Sequence, residues 1–174
     1  MKVLLKTLAK TIGLSLAMYL LSSTTATAEE QEGLTTFKSM KPALAIRLAQ
    51  ATLNACRKKG YQVAVAVVDR SGIVQVILRD QLAGAHTPET ARRKAWTAAS
   101  FNTSTTVMMD VTQSGQEQSG VRFVSEALMV GGGIPISAAG SLVGAVGVSG
   151  APGGDLDHNC GQAGIDAIEE DLMF

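Results

Sequence analysis

The chain has 174 residues, 46% hydrophobic, 4% aromatic and 17% charged, with 15 basic side chains balancing 15 acidic ones. That length and apolar content fit one domain with a proper core, whereas the balanced charge and scarce aromatics exclude a basic nucleic-acid footprint and base stacking. Low charge with abundant alanine, valine and glycine points to surface covered by identical subunits, because obligate homo-oligomers bury extensive apolar area.

At the N-terminus, Lys2, Lys6 and Lys10 form a basic start. The apolar run 12–21 follows, then small residues ending in Ala26-Thr27-Ala28 ahead of Glu29 and Glu30. This is the order of a secretory signal peptide over 1–28, cleaved after Ala28, which directs the protein to the periplasm or outside the cell. A membrane anchor is the alternative, but the run is shorter than the ~20 residues a span needs, so no stable membrane span is expected after processing. Cleavage leaves 12 basic against 15 acidic residues. Residues 29–39 are polar and aperiodic and read as a mobile leader to a domain over 40–174.

From Pro42 the spacing becomes helical, with Ala45, Leu48, Ala49, Thr52 and Cys56 on one face and Lys58-Lys59-Gly60 as the stop. Tyr61 to Asp69 and Ile73 to Arg79 are rich in β-formers and flank the turn Arg70-Ser71-Gly72, a hairpin pattern. After the loop from Asp80 to His86, Thr87 reads as an N-cap with Pro88 at the first helical position. The following helix aligns Ala91, Ala95, Ala98 and Ala99, a stripe that lets it lie close on a sheet, with Arg92 and Arg93 off the stripe. Residues 103–120 are polar and suggest short helical turns, and Phe123 to Val130 leads into a stretch from Gly131 to Gly150 that carries no charge.

That stretch reads as two buried strands near 134–138 and 142–149, joined at Ala139-Gly140-Ser141, where glycine supplies the positive φ of a tight turn. Gly144 and Gly147 leave room for another backbone or a flat ligand. A last helix follows Pro152, with Asp155 as cap and Cys160, Ala163, Gly164, Ala167 and Ile168 on one face. The order of elements favours an α+β fold, a single antiparallel sheet of about five strands flanked by helices. A parallel Rossmann sheet is the alternative, weakened because the first strand-to-helix turn lacks Gly-x-Gly-x-x-Gly.

Chemistry is sparse. Cys56 and Cys160 lie on apolar helix faces among small neighbours, which permit the close approach a disulfide requires; two buried thiols are the alternative, and a metal site lacks the C-x-x-C spacing. His86 precedes a helix in a loop, where it is either a ligand to a metal or haem iron or a solvated side chain. His158 follows Asp155 and Asp157, and helix capping explains those acids as well as metal binding does. Ser149 completes only half of a Gly-x-Ser-x-Gly elbow. Met108, Met109 and Met129 either fill core or face an irregular ligand. No catalytic set assembles, so the residues support a ligand-binding module more than an enzyme.

Four blocks, Val65-Ala-Val-Val-Asp-Arg-Ser-Gly72, Glu89-Thr-Ala-Arg-Arg-Lys-Ala-Trp-Thr-Ala98, Gly132-Gly-Ile-Pro-Ile136 and the run from Gly144 to Asp157, resemble the GlcG/HbpS family over nearly all of 40–170. The resemblance implies a profilin-like subunit that forms a homo-oligomer, up to an octamer. It also implies an exported haem-binding protein that stores, buffers or senses haem, with a sensor or redox protein as a partner. The alternative it implies is a non-haem accessory protein or enzyme subunit for a glycolate-type small 2-hydroxy acid. Some members carry two glutamates three apart at the start of the middle helix, proposed to bind iron; here Glu89 matches the first and Arg92 replaces the second. A threonine proposed to contact haem in one branch falls near Ala127, which has no ligating atom. His86 or Met129 is then the substitute ligand, and Arg79, Arg92 and Arg122 are either partners for the haem propionates or solvated charges.

Overall fold

The computed structural model describes residues 33–173, and the chain splits into two units, Met1–Thr36 and Phe37–Phe174. The expected signal peptide lies outside the described residues. Of the leader, residues 33–36 are exposed coil at the end of the first unit, and residues 37–39 are exposed coil at the start of the second. The second unit carries the fold.

Helix α1, Pro42–Lys58, buries Ala45, Leu48, Ala49, Thr52, Leu53 and Cys56, the face its spacing dictates. Strands β1 (Ala64–Asp69) and β2 (Val74–Arg79) form the expected hairpin. Asp69 shapes the turn: its Oδ1 accepts from the backbone N–H of Ser71 at 2.8 Å and of Ile73 at 2.9 Å. Helix α2, Thr87–Phe101, is followed by a short α3, Thr105–Val111, and a 3₁₀ turn, Ser119–Phe123. Strands β3 (Gly133–Ala138) and β4 (Ser141–Ser149) meet at Ala139 and Gly140, with φ of 49° and 76°. Two successive positive φ values match the right-handed strand twist, which is why so tight a hairpin forms there. Helices α4 (Gly154–Asp166) and α5 (Glu169–Leu172) complete the chain.

The sheet has the order β2-β1-β4-β3, antiparallel throughout. It has four strands rather than about five, because 124–130 forms turns and coil instead of a strand. The segment is anchored by side-chain hydrogen bonds rather than by a ladder. The parallel alternative is excluded.

The two faces differ in chemistry. Val65, Val67, Val146, Val148, Ile134 and Ile136 pack with α1 and α4 into the main core. On the opposite face Ala64, Ala66, Val68 and Ala145 meet the alanine stripe of α2. That second face is smooth enough for backbone contact: a Cβ on Gly147 would overlap the Ala91 carbonyl oxygen, and one on Gly133 the Lys94 carbonyl. A Cβ on Gly144 would crowd the Val68 carbonyl of the neighbouring strand. The room left by these glycines is therefore filled by the chain's own backbone, not by a flat ligand.

Cys56 and Cys160 are joined in a disulfide with their Cα atoms 5.3 Å apart, tying α1 to α4. The approach depends on Gly164, whose Cβ would overlap the Thr52 side chain. The buried face of α4 is rotated from the expected one: Asp157, Cys160, Gly161 and Gly164 are buried, whereas Ala163 and Ala167 are exposed.

Two expected caps are corrected. Thr87 is the first helical residue, and its hydroxyl turns back to donate to the Gly84 carbonyl at 2.7 Å. Asp155 lies within the first turn of α4, where Gly153 enters in an extended conformation without a side-chain cap.

Candidate functional site

His86 immediately precedes α2 and is exposed, and among the described residues its imidazole makes no hydrogen bond. Arg79, at the end of β2, is also exposed and donates to the Ala83 carbonyl of the same loop. Three residues beyond His86, Glu89 accepts two hydrogen bonds from Arg92, both at 2.7 Å. Arg92 also reaches Glu126 across the surface. The hydrogen bonds from Arg92 hold the Glu89 carboxyl below its usual range, while the two glutamates stabilise the charged guanidinium.

Arg93 donates to the carbonyls of Glu126 at 3.1 Å and Ala127 at 2.8 Å. Arg122 donates to the carbonyls of Thr112 at 2.5 Å and Met109 at 2.8 Å. Three guanidinium groups thus fasten the 119–130 segment, in which Glu126 takes a φ of 74°. Met129 is buried there beside Met108 and Ala127, with Trp96, Phe101 and Val121 against them; Met109 is partly exposed. Of the expected site residues, Arg92, Arg122 and Met129 therefore gather around the 119–130 segment, whereas Arg79 and His86 stand at the two ends of the loop between β2 and α2 with no hydrogen bond between them.

Sequence reasoning missed a buried ion pair. Lys94 Nζ lies 2.8 Å from Asp157 Oδ2 and 2.9 Å from the Val148 carbonyl, and the Lys94 and Asp157 side chains are only 2% and 4% exposed. Asp157 Oδ1 accepts from the Ala151 N–H at 3.0 Å. Burial pushes the Asp157 carboxyl above its usual range, against the pull of Lys94. The signal was present: Lys94 falls three residues after Ala91 and four before Ala98, inside the apolar stripe, and a buried ammonium demands a counter-charge.

Polar groups surround this pair. Thr105 Oγ1 accepts from the Gly133 N–H at 2.7 Å, and Gly132 has no room for a Cβ between the Val148 carbonyl and the Asp157 side chain. Thr106 Oγ1 lies 3.4 Å from His158 Nδ1, and burial lowers the basicity of that imidazole. No group of three or more potential metal ligands occurs among the described residues.

A family model described as "Haem degrading protein HbpS-like" matches residues 40–166. The chain belongs to the HbpS-like family. A solved variant of Streptomyces reticuli HbpS, with two glutamates three positions apart changed to aspartate, is 36% identical. It superposes with a TM-score of 0.73, over 78% of this chain and 90% of that one. The structure of a PduOC:heme complex is 28% identical with a TM-score of 0.70, covering 75% of this HbpS-like chain and 95% of that one. The corrinoid adenosyltransferase PduO of Salmonella typhimurium is 32% identical over 124 residues. Those residues make up 70% of this chain but only 37% of that protein, so the HbpS-like chain spans about a third of this curated relative.

Proposed function

We propose that this protein is an exported, homo-oligomeric haem-binding protein that buffers or senses haem outside the cytoplasm. The observation that carries the reading is membership of the HbpS-like family together with a relative of the same fold solved with heme. Export is supported by the basic, apolar and small-residue order of 1–28 and by the Cys56–Cys160 disulfide, a bond that persists in oxidising compartments. Self-association is supported by large apolar side chains in solvent, Ile73 at 65%, Leu82 at 78% and Phe123 at 90% exposure.

Two side chains near the start of α2, His86 and Arg79, support this reading as candidates to hold haem. Haem would supply an iron atom there, and an imidazole would be a suitable side chain to hold it. His86 offers an imidazole in solvent that makes no hydrogen bond among the described residues, and Arg79, at the end of β2 and bonded to the Ala83 carbonyl, offers a cation for a propionate. Met129 is sheltered within its apolar cluster, and Arg92 and Arg122 are engaged in holding the 119–130 segment.

Hemin titration of the purified protein tests the reading. A saturable Soret shift is expected, moved or abolished in His86→Ala and retained in Met129→Ala. Absence of saturable binding sinks the function, and an unchanged spectrum in His86→Ala sinks the ligand assignment alone. Native mass spectrometry reads the number of subunits.

A further inference from the structure

An open pocket of about 590 Å³ lies where the segment before α1, the β3–β4 hairpin and α5 meet. None of the residues considered for haem lines it. Its floor is apolar, formed by Met40, Leu44, Val143 and Leu172. Met40 is fixed there by its backbone, whose N–H donates to the Val143 carbonyl at 3.3 Å and whose carbonyl accepts from Gln75 Nε2 at 2.7 Å. The floor is therefore part of the folded core, a preformed surface.

The polar lining is one-sided. Arg47 and Asp171 form a two-bonded pair at 3.0 and 2.8 Å that joins α1 to α5 and closes one wall. That pair neutralises the pocket's one carboxylate. Lys41 adds a further positive charge at the mouth, and its exposed ammonium has no ion-pair partner among the described residues. The size lies within the range of small-molecule sites, which combine apolar walls with a few placed polar groups.

We propose that this pocket binds an apolar carboxylate, with its hydrocarbon body on Met40, Leu44, Val143 and Leu172 and its carboxylate at Lys41. A neutral hydrocarbon would leave the cationic mouth unanswered, and a small hydrophilic anion would leave the floor exposed. Fatty acids and haem share the required chemistry, an apolar body with a terminal carboxylate, and the two are separated by competition.

The test is a fluorescence titration of the purified protein with cis-parinaric acid. Two substitutions at exposed positions probe the site: Lys41→Glu reverses the charge at the mouth, and Ala43→Trp fills the space. Saturable binding is expected, with Kd raised at least tenfold by Lys41→Glu and binding lost in Ala43→Trp, while both variants keep the parent melting temperature. A long-chain alcohol that competes as well as the matching acid overturns the proposal, as does a Kd that neither substitution moves. Hemin that displaces the probe identifies haem as an occupant of this pocket; hemin that binds without displacing it leaves the pocket to fatty carboxylates. Parinarate binding is read whether or not hemin binds, so this site and the haem reading fail separately.

Discussion

Lys94 and Asp157 form a salt bridge 2.8 Å long that joins α2 to α4 at the loop between Gly131 and Gly133, with almost no solvent at either side chain. Removing one partner leaves an unpaired buried charge, so Lys94→Met or Asp157→Leu is expected to cost about 3–5 kcal/mol. The double variant is expected to lose less than the sum, because neither charge is then stranded. Urea denaturation of the four proteins gives the coupling; full additivity contradicts it.

The same carboxyl sets a pH dependence. Its folded-state pKa is raised, so the folded protein binds the proton more readily than the unfolded chain. Its contribution to stability is fullest below the unfolded value, about 3.9, and falls as pH rises through the folded value. Asp157→Asn removes that slope.

His158 has the opposite sign. Burial lowers its folded pKa, so its contribution is complete above the unfolded value, about pH 6.5, and is lost as pH falls through the lower folded value. Wild-type stability is therefore expected to fall between pH 7.5 and pH 5.5 more steeply than that of His158→Gln. Urea midpoints at the two pH values decide it, and parallel slopes exclude the assignment.

The disulfide spans a sequence separation of 104 residues and anchors two helices of the main core. Replacing Cys56 and Cys160 with alanine is expected to cost about 2–5 kcal/mol. Denaturation with and without a reductant measures it: the parent should drop to the level of the double variant on reduction, and the variant should not respond.

Gly147 carries the contact between β4 and the α2 backbone. Gly147→Ala is expected to cost about 1–3 kcal/mol or more, since neither the Ala91 carbonyl nor the Ala95 N–H can yield without shifting the helix. Gly120→Ala, with nothing within 4 Å of the added methyl, is the control. Equal melting temperatures for the two variants would show that α2 can move off the sheet at no cost.

The secondary structure was legible where periodicity was strong. The spacing of Ala45, Leu48, Ala49 and Thr52, the β-rich hairpin after Tyr61 and the uncharged run after Gly131 each correspond to an element with nearly the expected bounds. The sheet has one strand fewer than expected because the backbone of 124–130, although apolar residues recur in it, is held by Arg93 and Thr97 on a distant helix rather than by a ladder. The candidate site was less legible. His86 is conspicuous in a polar loop, whereas Lys94 lies inside a stripe whose alanines dominate its pattern. The pairing of Asp157 with it depends on how α4 rotates, and Gly161 and Gly164 set that rotation through packing that no spacing rule contains.

Arg92, between Glu89 and Glu126, has a further consequence. A metal ion holding two carboxylates together must be supplied, competes with other ions and leaves when its free concentration drops. A guanidinium on the chain is present in every copy from the moment of folding. The bracing of α2 against the 124–127 turn is thus indifferent to chelators and to metal starvation, and ionic strength is the variable that loosens it.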